Sequence, residues 1–356
     1  MHLKPIKGDA NMAYASIRAY IRAISGGYPF IGGLLMKDKL LKLLRAADGY
    51  VSGEEIGEAL GVSRSAVWKG IRSLRDDGYK ISAVTNKGYM LEDTQDVYSR
   101  EEILSRISTH EIGREIKFYD SLDSTNNKAK AIGFEGGRHG TVVIAETQTA
   151  GKGRRGRKWS SPEGSGVWMS ILLCPDIAPV YVPSITLAAG ISVCGAINKT
   201  TGAGAKIKWP NDVIINGRKV CGILTEMSSE IDYVNFVVVG IGVNVMEAEF
   251  DESLSGIITN INREAVKKCG RSVIAAAIIE EFEKNYNVFC KGGFKSLKSK
   301  YESMCDTLNK RVAVSGSENF EGRAVGITDE GYLIVEKAGG GRIELTAGDV
   351  SIRRAD

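Results

Sequence analysis

The densest chemistry in the chain lies in Gln148-Thr149-Ala150-Gly151-Lys152-Gly153-Arg154-Arg155-Gly156-Arg157-Lys158-Trp159, where glycines alternate with a run of cations. Glycine lets a backbone come close to an anion and turn its amide hydrogens toward it, and arginine forks neutralise oxygens in pairs. Taken by itself the segment fits a phosphate cradle, and it fits a solvated basic loop or nucleic-acid patch as well. It is not a Walker A loop, because glycine follows Lys152 where that motif needs the Ser or Thr that holds magnesium.

A second segment, Lys208-Trp209-Pro210-Asn211-Asp212, runs into Asn216-Gly217, a strong hairpin signal, and on through Arg218-Lys219-Val220-Cys221-Gly222-Ile223-Leu224. A two-residue type I′ turn pairs Ile214 with Lys219 and Asp212 with Cys221, so Asp212, Ile214, Lys219 and Cys221 are expected on one face. A lysine and a carboxylate so placed suit anion neutralisation and nucleotide placement, and an ordinary surface ion pair accounts for them too. Helix capping is a sufficient explanation for Ser124-Thr125-Asn126 ahead of a helical run. Gly240-Ile241-Gly242-Val243-Asn244 after an apolar strand is too short for the dinucleotide fingerprint. Trp159 and Trp168 read as core residues, although one beside the cationic loop could wall a ligand pocket.

Other chemistry is scarce. His2, His110 and His139 adjoin no second ligand motif, and the cysteines at 174, 194, 221, 269, 290 and 305 form no C-x-x-C pair. They read as reduced, mostly buried thiols, and no protein-built metal site is expected. A net charge of +4 is too small for a global field, so a nucleic-acid site must be a local patch. No run approaches the ~18 uninterrupted apolar residues of a membrane span and no leader is evident. The expectation is a cytoplasmic protein with no membrane partner.

At 356 residues the chain has room for several domains. Residues 1–35 are poorly patterned, and Gly32-Gly33 supplies GGN-GGN codons shortly before Met36, so translation is expected to start at Met36. From there Leu40, Leu41, Leu43 and Leu44 mark a helix ended by Gly49, Ser52-Gly53-Glu54-Glu55 opens a second, and Gly61 breaks it. Ser63 caps a third in which Val67, Ile71 and Leu74 share one side, leaving Arg64, Ser65, Trp68, Lys69 and Arg72 on the other. Strands Tyr79 to Val84 and Tyr89 to Leu91 about the turn Thr85-Asn86-Lys87-Gly88 complete a winged helix-turn-helix over 36–93. The stretch from Glu92 to Asp96 reads as a linker. Strands and helices then alternate irregularly over 98–305, as in an α+β domain, and the strand-rich tail 308–356 fits a small SH3-like barrel.

The order S-T-N, Q-T-x-G-K-G-R-R-G-R-x-W, K-W-P-N-D, R-K-x-x-G-I-L and G-x-G-x-N, with Gly348-Asp349-Val350-Ser351-Ile352-Arg353 near the end, resembles the biotin protein ligases. With the head, the likeness runs from Met36 to the C-terminus and is to the bifunctional ligase and biotin operon repressor. It implies a class II synthetase-like central domain. It implies that Ser124, Thr125, Asn126 and Gln148 hold the biotin ring region, that Lys152, Gly153 and Arg154 close over biotinyl-adenylate, and that Lys219 sits where biotin carboxylate meets phosphate. Arg157, Trp159 and Asn244 would face the nucleotide, and Lys208, Asn211 and Asp212 the ATP and Mg2+ side. Lys152 departs from family members with arginine there, which keeps the charge and loses the planar fork.

The implied chemistry suits this inventory. A biotin carboxylate attacking the α-phosphate of ATP brings two anions together, so it calls for fixed cations, here Lys219, Arg154, Lys208 and Arg157, and for no protein nucleophile. A lysine of a biotin carboxyl carrier protein would then displace AMP; this chain has no acceptor M-K-M of its own. Ser63, Arg64, Ser65, Trp68, Lys69 and Arg72 would face operator DNA, and a homodimer carrying the adenylate would match a two-fold operator. A lipoate-type ligase, a winged-helix regulator that only senses a ligand, and a ligase whose head represses nothing are the rival readings.

Overall fold

The computed structural model describes residues 34–47, 49–92, 96–249, 251–254, 256–316, 319–346 and 351–354. Residues 1–33 of the poorly patterned stretch before Met36, and Gly348 to Val350 of the tail motif, lie outside the described residues. The chain divides into two compact units with the boundary between Arg106 and Ile107.

The first unit contains α1 (Leu34–Ala46), α2 (Gly53–Leu60), α3 (Arg64–Asp76), β1 (Ile81–Val84), β2 (Gly88–Leu91) and α4 (Arg100–Arg106). Ser52 and Glu55 close a reciprocal capping box at the start of α2, Gly61 ends that helix at φ 69, and the Ser63 hydroxyl accepts from the Ala66 amide at the start of α3. Leu40, Leu44, Ile56, Val67, Ile71 and Leu74 meet in one buried cluster, each worth roughly 1.5–3 kcal/mol of removal from water. Val51 exchanges backbone hydrogen bonds of 2.8 Å with Tyr89, so a third segment joins the wing. Gly88 permits that approach: a Cβ there would stand 2.0 Å from the Val51 carbonyl oxygen.

One boundary departs from the sequence reading. Helix α4, expected inside the 98–305 segment, packs on α1 through Glu102, which is 2 % exposed and paired with both Arg45 and Arg106. A carboxylate so buried needs its cations, and Arg45 ties it to the head.

The second unit is built on a seven-stranded sheet, β3 (Ile116–Leu122), β4 (Val142–Gln148), β5 (Gly166–Leu173), β6 (Lys206–Lys208), β7 (Asp212–Ile215), β8 (Arg218–Ser229) and β9 (Val234–Asn244), in the order β3-β4-β5-β9-β8-β7-β6. Only β3 and β4 run parallel; the other neighbours are antiparallel. Strand β3 was not foreseen. Its mixed Ile-Lys-Phe-Tyr-Asp-Ser-Leu pattern belongs to a sheet edge, where a buried face is not required on both sides.

Helix α5 (Thr125–Phe134) covers one sheet face, with Ala129 and Ile132 against Val143, Leu172, Phe236 and Val238. The helices α6 (Val182–Thr201) and α8 (Arg271–Gly292) are the long ones, separated in the chain by α7 (Ile261–Glu264). The segment Pro179–Thr201 is long and apolar enough to cross a membrane, but it is mostly buried inside the protein, as a core helix is. After α9 (Lys298–Met304) the tail forms a five-stranded antiparallel sheet of β10 (Arg311–Ser315), β11 (Phe320–Ile327), β12 (Leu333–Lys337), β13 (Arg342–Leu345) and β14 (Ser351–Arg354), ordered β13-β12-β11-β10-β14. It is joined to the larger sheet by Trp209, whose ring N–H donates to the Gly331 carbonyl at 3.1 Å and whose backbone N–H donates to Thr307 at 3.0 Å.

Candidate functional site

A cleft opens over the β8–β9 face where α5 begins. Its floor is made of missing side chains. Gly222 pairs with Gly242 across the two strands and Leu224 with Gly240, and glycine inside a strand marks a close approach. A Cβ on Gly242 would stand 2.5 Å from Trp159 Nε1, one on Gly222 2.8 Å from the same ring, and one on Gly240 2.1 Å from Asn126 Oδ1. Trp159 therefore lies on glycine, edge-on to Trp168 with centroids 6.3 Å apart. Trp168 is wholly buried, whereas Trp159 lines the cleft. The two tryptophans thus divide the two roles that the sequence left open.

One end of the cleft is neutral and polar. The Thr125 N–H donates to Gln148 Oε1 at 2.8 Å, Gln148 Nε2 donates to the Ser161 hydroxyl at 2.7 Å, and the Ser170 hydroxyl lies 2.8 Å from Thr125 Oγ1 and 2.6 Å from Asn126 Oδ1. Asn126 Nδ2 donates to the Leu224 carbonyl at 3.2 Å and to Glu226 Oε2 at 2.7 Å. Capping does not explain the Ser124-Thr125-Asn126 triplet: Ser124 occupies the N-cap position of α5 without a side-chain cap bond, and all three line the cleft.

The other end is cationic. Lys219 Nζ pairs with Asp212 at 2.7 Å and stands 5.1 Å from the centre of the Trp159 ring. Arg154 Nη1 donates to Asn211 Oδ1 at 2.9 Å; burial lowers its pKa and the Asp212 charge opposes that shift. Lys152 Nζ reaches Asn127 Oδ1 at 2.7 Å. The loop carrying these cations is braced by itself: Lys152 bridges Lys158, the Gly153 N–H donates to the Arg157 carbonyl at 2.7 Å, and the Trp159 N–H donates to the Gly151 carbonyl at 2.9 Å.

The hairpin forms as expected at its tip, with Asn216 at φ 50 and Gly217 at φ 77, and pairs Ile214 with Lys219. The expected pairing of Asp212 with Cys221 does not occur. The register shifts between Val213 and Ile214, so Val213 faces Cys221 and Asp212 faces Gly222, with Val220 the extra residue of a bulge. Val220 and Cys221 are both fully buried, and the shift sets Cys221 opposite the buried Val213. Cys221 therefore leaves the shared face, its thiol pushed up by burial, while Lys219 and Asp212 stay on it. The Lys219 backbone is held in turn by the segment after β9, donating to the Ile257 carbonyl and accepting from the Thr259 N–H, each at 2.8 Å. Glu264 anchors that segment to Thr259, Asn216 and Arg218.

The cleft thus gathers Ser124, Thr125, Asn126, Gln148, Lys152, Gly153, Arg154, Trp159, Asn211 and Lys219, with Asp212 reached through Lys219. Besides Asp212, three expected residues do not line it. Lys208 is half-buried opposite Asp212 on β6, Arg157 is exposed on the loop, and Asn244 is buried, its amide donating to the Thr259 carbonyl at 3.2 Å. Sequence reasoning missed Ser161, Ser170, Glu226 and the floor glycines; glycine alternation at 240 and 242 inside an apolar strand was the available signal. Among the described residues no group of three or more His, Cys, Asp or Glu side chains could hold a metal, and no carboxylate lines the cleft.

In the head, Ser63, Arg64, Ser65, Trp68, Lys69 and Arg72 are all exposed while Val67, Ile71 and Leu74 are buried. The Arg72 guanidinium lies 5.7 Å from the Trp68 ring centre. This is a basic, aromatic face on a rigid helix, suited to phosphate and groove contacts.

The chain thus combines a helix-turn-helix head with a cleft on a mixed sheet that has one hydrogen-bonding end and one cationic end. Residues 118–244 match the biotin/lipoate A/B protein ligase family, residues 37–90 an HTH domain and residues 307–353 the biotin protein ligase C-terminal domain. The chain is 40 % identical over 305 residues to the bifunctional ligase/repressor BirA of Bacillus subtilis, covering 85 % of this chain and 94 % of that one. It is 32 % identical over 322 residues to the BirA of Escherichia coli, covering 89 % and 97 %. The solved biotin protein ligase from Aquifex aeolicus, in complex with biotin and ATP, is 30 % identical and aligns with a TM-score of 0.60 over 68 % of this chain and all of that one. The chain belongs to the biotin protein ligases, of the bifunctional ligase/repressor kind.

Proposed function

We propose that the protein activates biotin with ATP to biotinyl-5′-AMP, transfers biotin to a lysine of a biotin carboxyl carrier protein, and represses biotin genes as an adenylate-bound dimer. The observation that carries the reading is the polarity of the cleft, with the neutral row Thr125, Gln148, Ser161 at one end and Lys152, Arg154 and Lys219 at the other. Biotin has the same polarity, a neutral ring that hydrogen-bonds and a carboxylate on a short chain.

In the first step a carboxylate oxygen of biotin forms a bond to the α-phosphorus and the bond to pyrophosphate breaks. Lys219 and Arg154 neutralise the oxygens on which charge gathers, and Asp212 holds Lys219 in place. In the second step the carrier lysine's neutral amine attacks the carbonyl of the anhydride, AMP leaves with the electron pair, and the ammonium proton goes to solvent. Trp159 shields the anhydride from water. No preformed carboxylate set fits Mg2+ in the cleft, so the ion is taken to ride on the ATP phosphates. Lys208, Arg157 and Asn244 are taken to act from the cleft's rim and supporting shell toward the nucleotide.

The functional segments are taken as 36–93 for DNA, 98–305 for ligation and 308–356 for the tail, with α4 held by the head, in a cytoplasmic protein whose residues before Met36 are dispensable. The test of the enzyme is ATP–pyrophosphate exchange, which should depend on biotin and not on lipoate, followed by labelling of a carrier domain. Exchange that lipoate supports equally would overturn the biotin reading. For the repressor role, sedimentation and operator titration with biotin plus ATP should show dimerisation and DNA affinity rising together. A monomer that ligates and never gains operator affinity would leave a ligase without a repressor.

A further inference from the structure

Glu226 lies on β8 outside the cleft lining, and nothing in the ligation chemistry calls for it. Its carboxylate is nevertheless gripped by two residues one helical turn apart on α5: Oε2 accepts from Asn126 Nδ2 at 2.7 Å, and Oε1 pairs with Lys130 Nζ at 2.7 Å. Burial opposes its ionisation, but the hydrogen bonds from Lys130 and Asn126 and the charges of Lys130 and Lys152 outweigh that and hold its pKa below the ordinary value.

A primary amide can face its neighbours either way round, and the neighbours decide which. An ionised carboxylate only accepts, so Glu226 requires the Nδ2 end of Asn126 to point toward it. Both Nδ2 hydrogens are then used, on Glu226 and on the Leu224 carbonyl. Oδ1 is left beside the Ser170 hydroxyl at 2.6 Å, in a slot against Gly240 that has no room for another side chain. The Ser170 hydroxyl donates its hydrogen there, at the shorter of its two contacts, while Thr125 Oγ1, 2.8 Å from Ser170, gives its own hydrogen to Gln148 Oε1 at 3.1 Å. From the opposite side the Thr125 N–H fixes Gln148 Oε1 at 2.8 Å and so turns Nε2 toward Ser161.

We propose that Glu226, clamped by Lys130, is a positioning residue for biotin: from behind the cleft it sets which end of Asn126 faces Ser170, and so which way the Ser170 hydroxyl points. The inference rests on the reading of this cleft as the biotin site. A cyclic urea offers a carbonyl acceptor flanked by N–H donors, so a row of fixed polarity accepts it and refuses rings that lack that order.

The experiment compares Glu226→Gln, Lys130→Met and Gln148→Ala in the full chain, by steady-state ligation at varied biotin and varied ATP and by thermal unfolding. Glutamine keeps the size of Glu226 but can present either end to Asn126. The expected result for Glu226→Gln is a biotin KM raised on the order of tenfold, the scale of one misdirected hydrogen bond, with ATP KM, kcat and Tm near the parent's. In Lys130→Met the carboxylate keeps Asn126 but loses its cation, so its pKa should rise and kcat/KM for biotin should begin to fall on the acid side at a higher pH than in the parent. A Glu226→Gln variant that loses Tm while biotin KM stays within twofold of the parent's marks a structural clamp and overturns the inference. Gln148→Ala separates the two ideas. If it leaves biotin KM unchanged, the cleft is not the biotin site; if it raises KM and Glu226→Gln does not, the site stands and the inference falls. Thr125→Val replaces Gln148→Ala should the latter fail to fold.

Discussion

Gly222 and Gly242 face one another across β8 and β9, and the Trp159 ring rests on both, so that a methyl group on either would stand within 2.8 Å of it. The ring that walls the cleft, and that carries Lys219 5.1 Å from its centre, is placed by two absent side chains.

Gly242→Ala should therefore tilt Trp159 off the floor and carry Lys219 with it. Biotin-dependent pyrophosphate exchange is expected to fall at least about tenfold, the scale of a misplaced catalytic group, while the remote α6–α8 core keeps Tm within a few degrees. Trp159 fluorescence reports the tilt. Exchange at the parent's rate with an altered Trp159 signal would show that the ring's position is irrelevant to chemistry.

Lys219→Met removes the cation at the junction of the cleft and leaves Asp212 without its partner. Exchange should drop by about 10²–10³-fold, with biotin binding measured by calorimetry changed far less, because the lysine serves the charge that develops on phosphate. Asp212→Asn should cost less than Lys219→Met, since the lysine remains. Equal losses in binding and in exchange would mean that Lys219 holds ground-state biotin instead.

Arg64→Ala and Lys69→Ala touch only the exposed face of α3 and should spare ligation entirely. Each is expected to weaken operator binding and lower the slope of log K against log salt by about 1 if it meets a phosphate. Fluorescence anisotropy at several salt concentrations measures this, and an unchanged slope with unchanged affinity would take that residue off the DNA.

Asp38 on α1 makes the head sensitive to pH. Burial pushes its carboxyl up to about 7, against the opposing charge of Arg100, and its Oδ1 is buried without a hydrogen-bond partner. A carboxyl raised in the folded state holds a proton that the unfolded chain has already released. Its adverse effect is therefore absent below about pH 4 and complete once pH exceeds about 7, where it reaches at most of order 4 kcal/mol. Asp38→Asn should raise the unfolding temperature of the head at pH 8 and leave it nearly unchanged at pH 4. The same gain at both pH values would show that ionisation of Asp38 is not the cause.

The head was legible almost throughout, because helix periodicity, the Ser52 and Ser63 caps and the Gly61 stop are local signals that the fold merely obeys. The same holds for the Asn216-Gly217 turn, and the motif order was enough to identify the family. What the sequence could not decide were relations between distant segments. Alternation across a hairpin cannot foresee the bulge at Val220, which moves Cys221 off the face that Lys219 and Asp212 share. Glu102 attached α4 to the head because a buried carboxylate follows its cations rather than its place in the chain. Glu226 and Ser170 joined the site for a similar reason: a short run such as Ser124-Thr125-Asn126 states which hydrogen bonds it can make, and only the packing of α5 on Gly240 determines with whom.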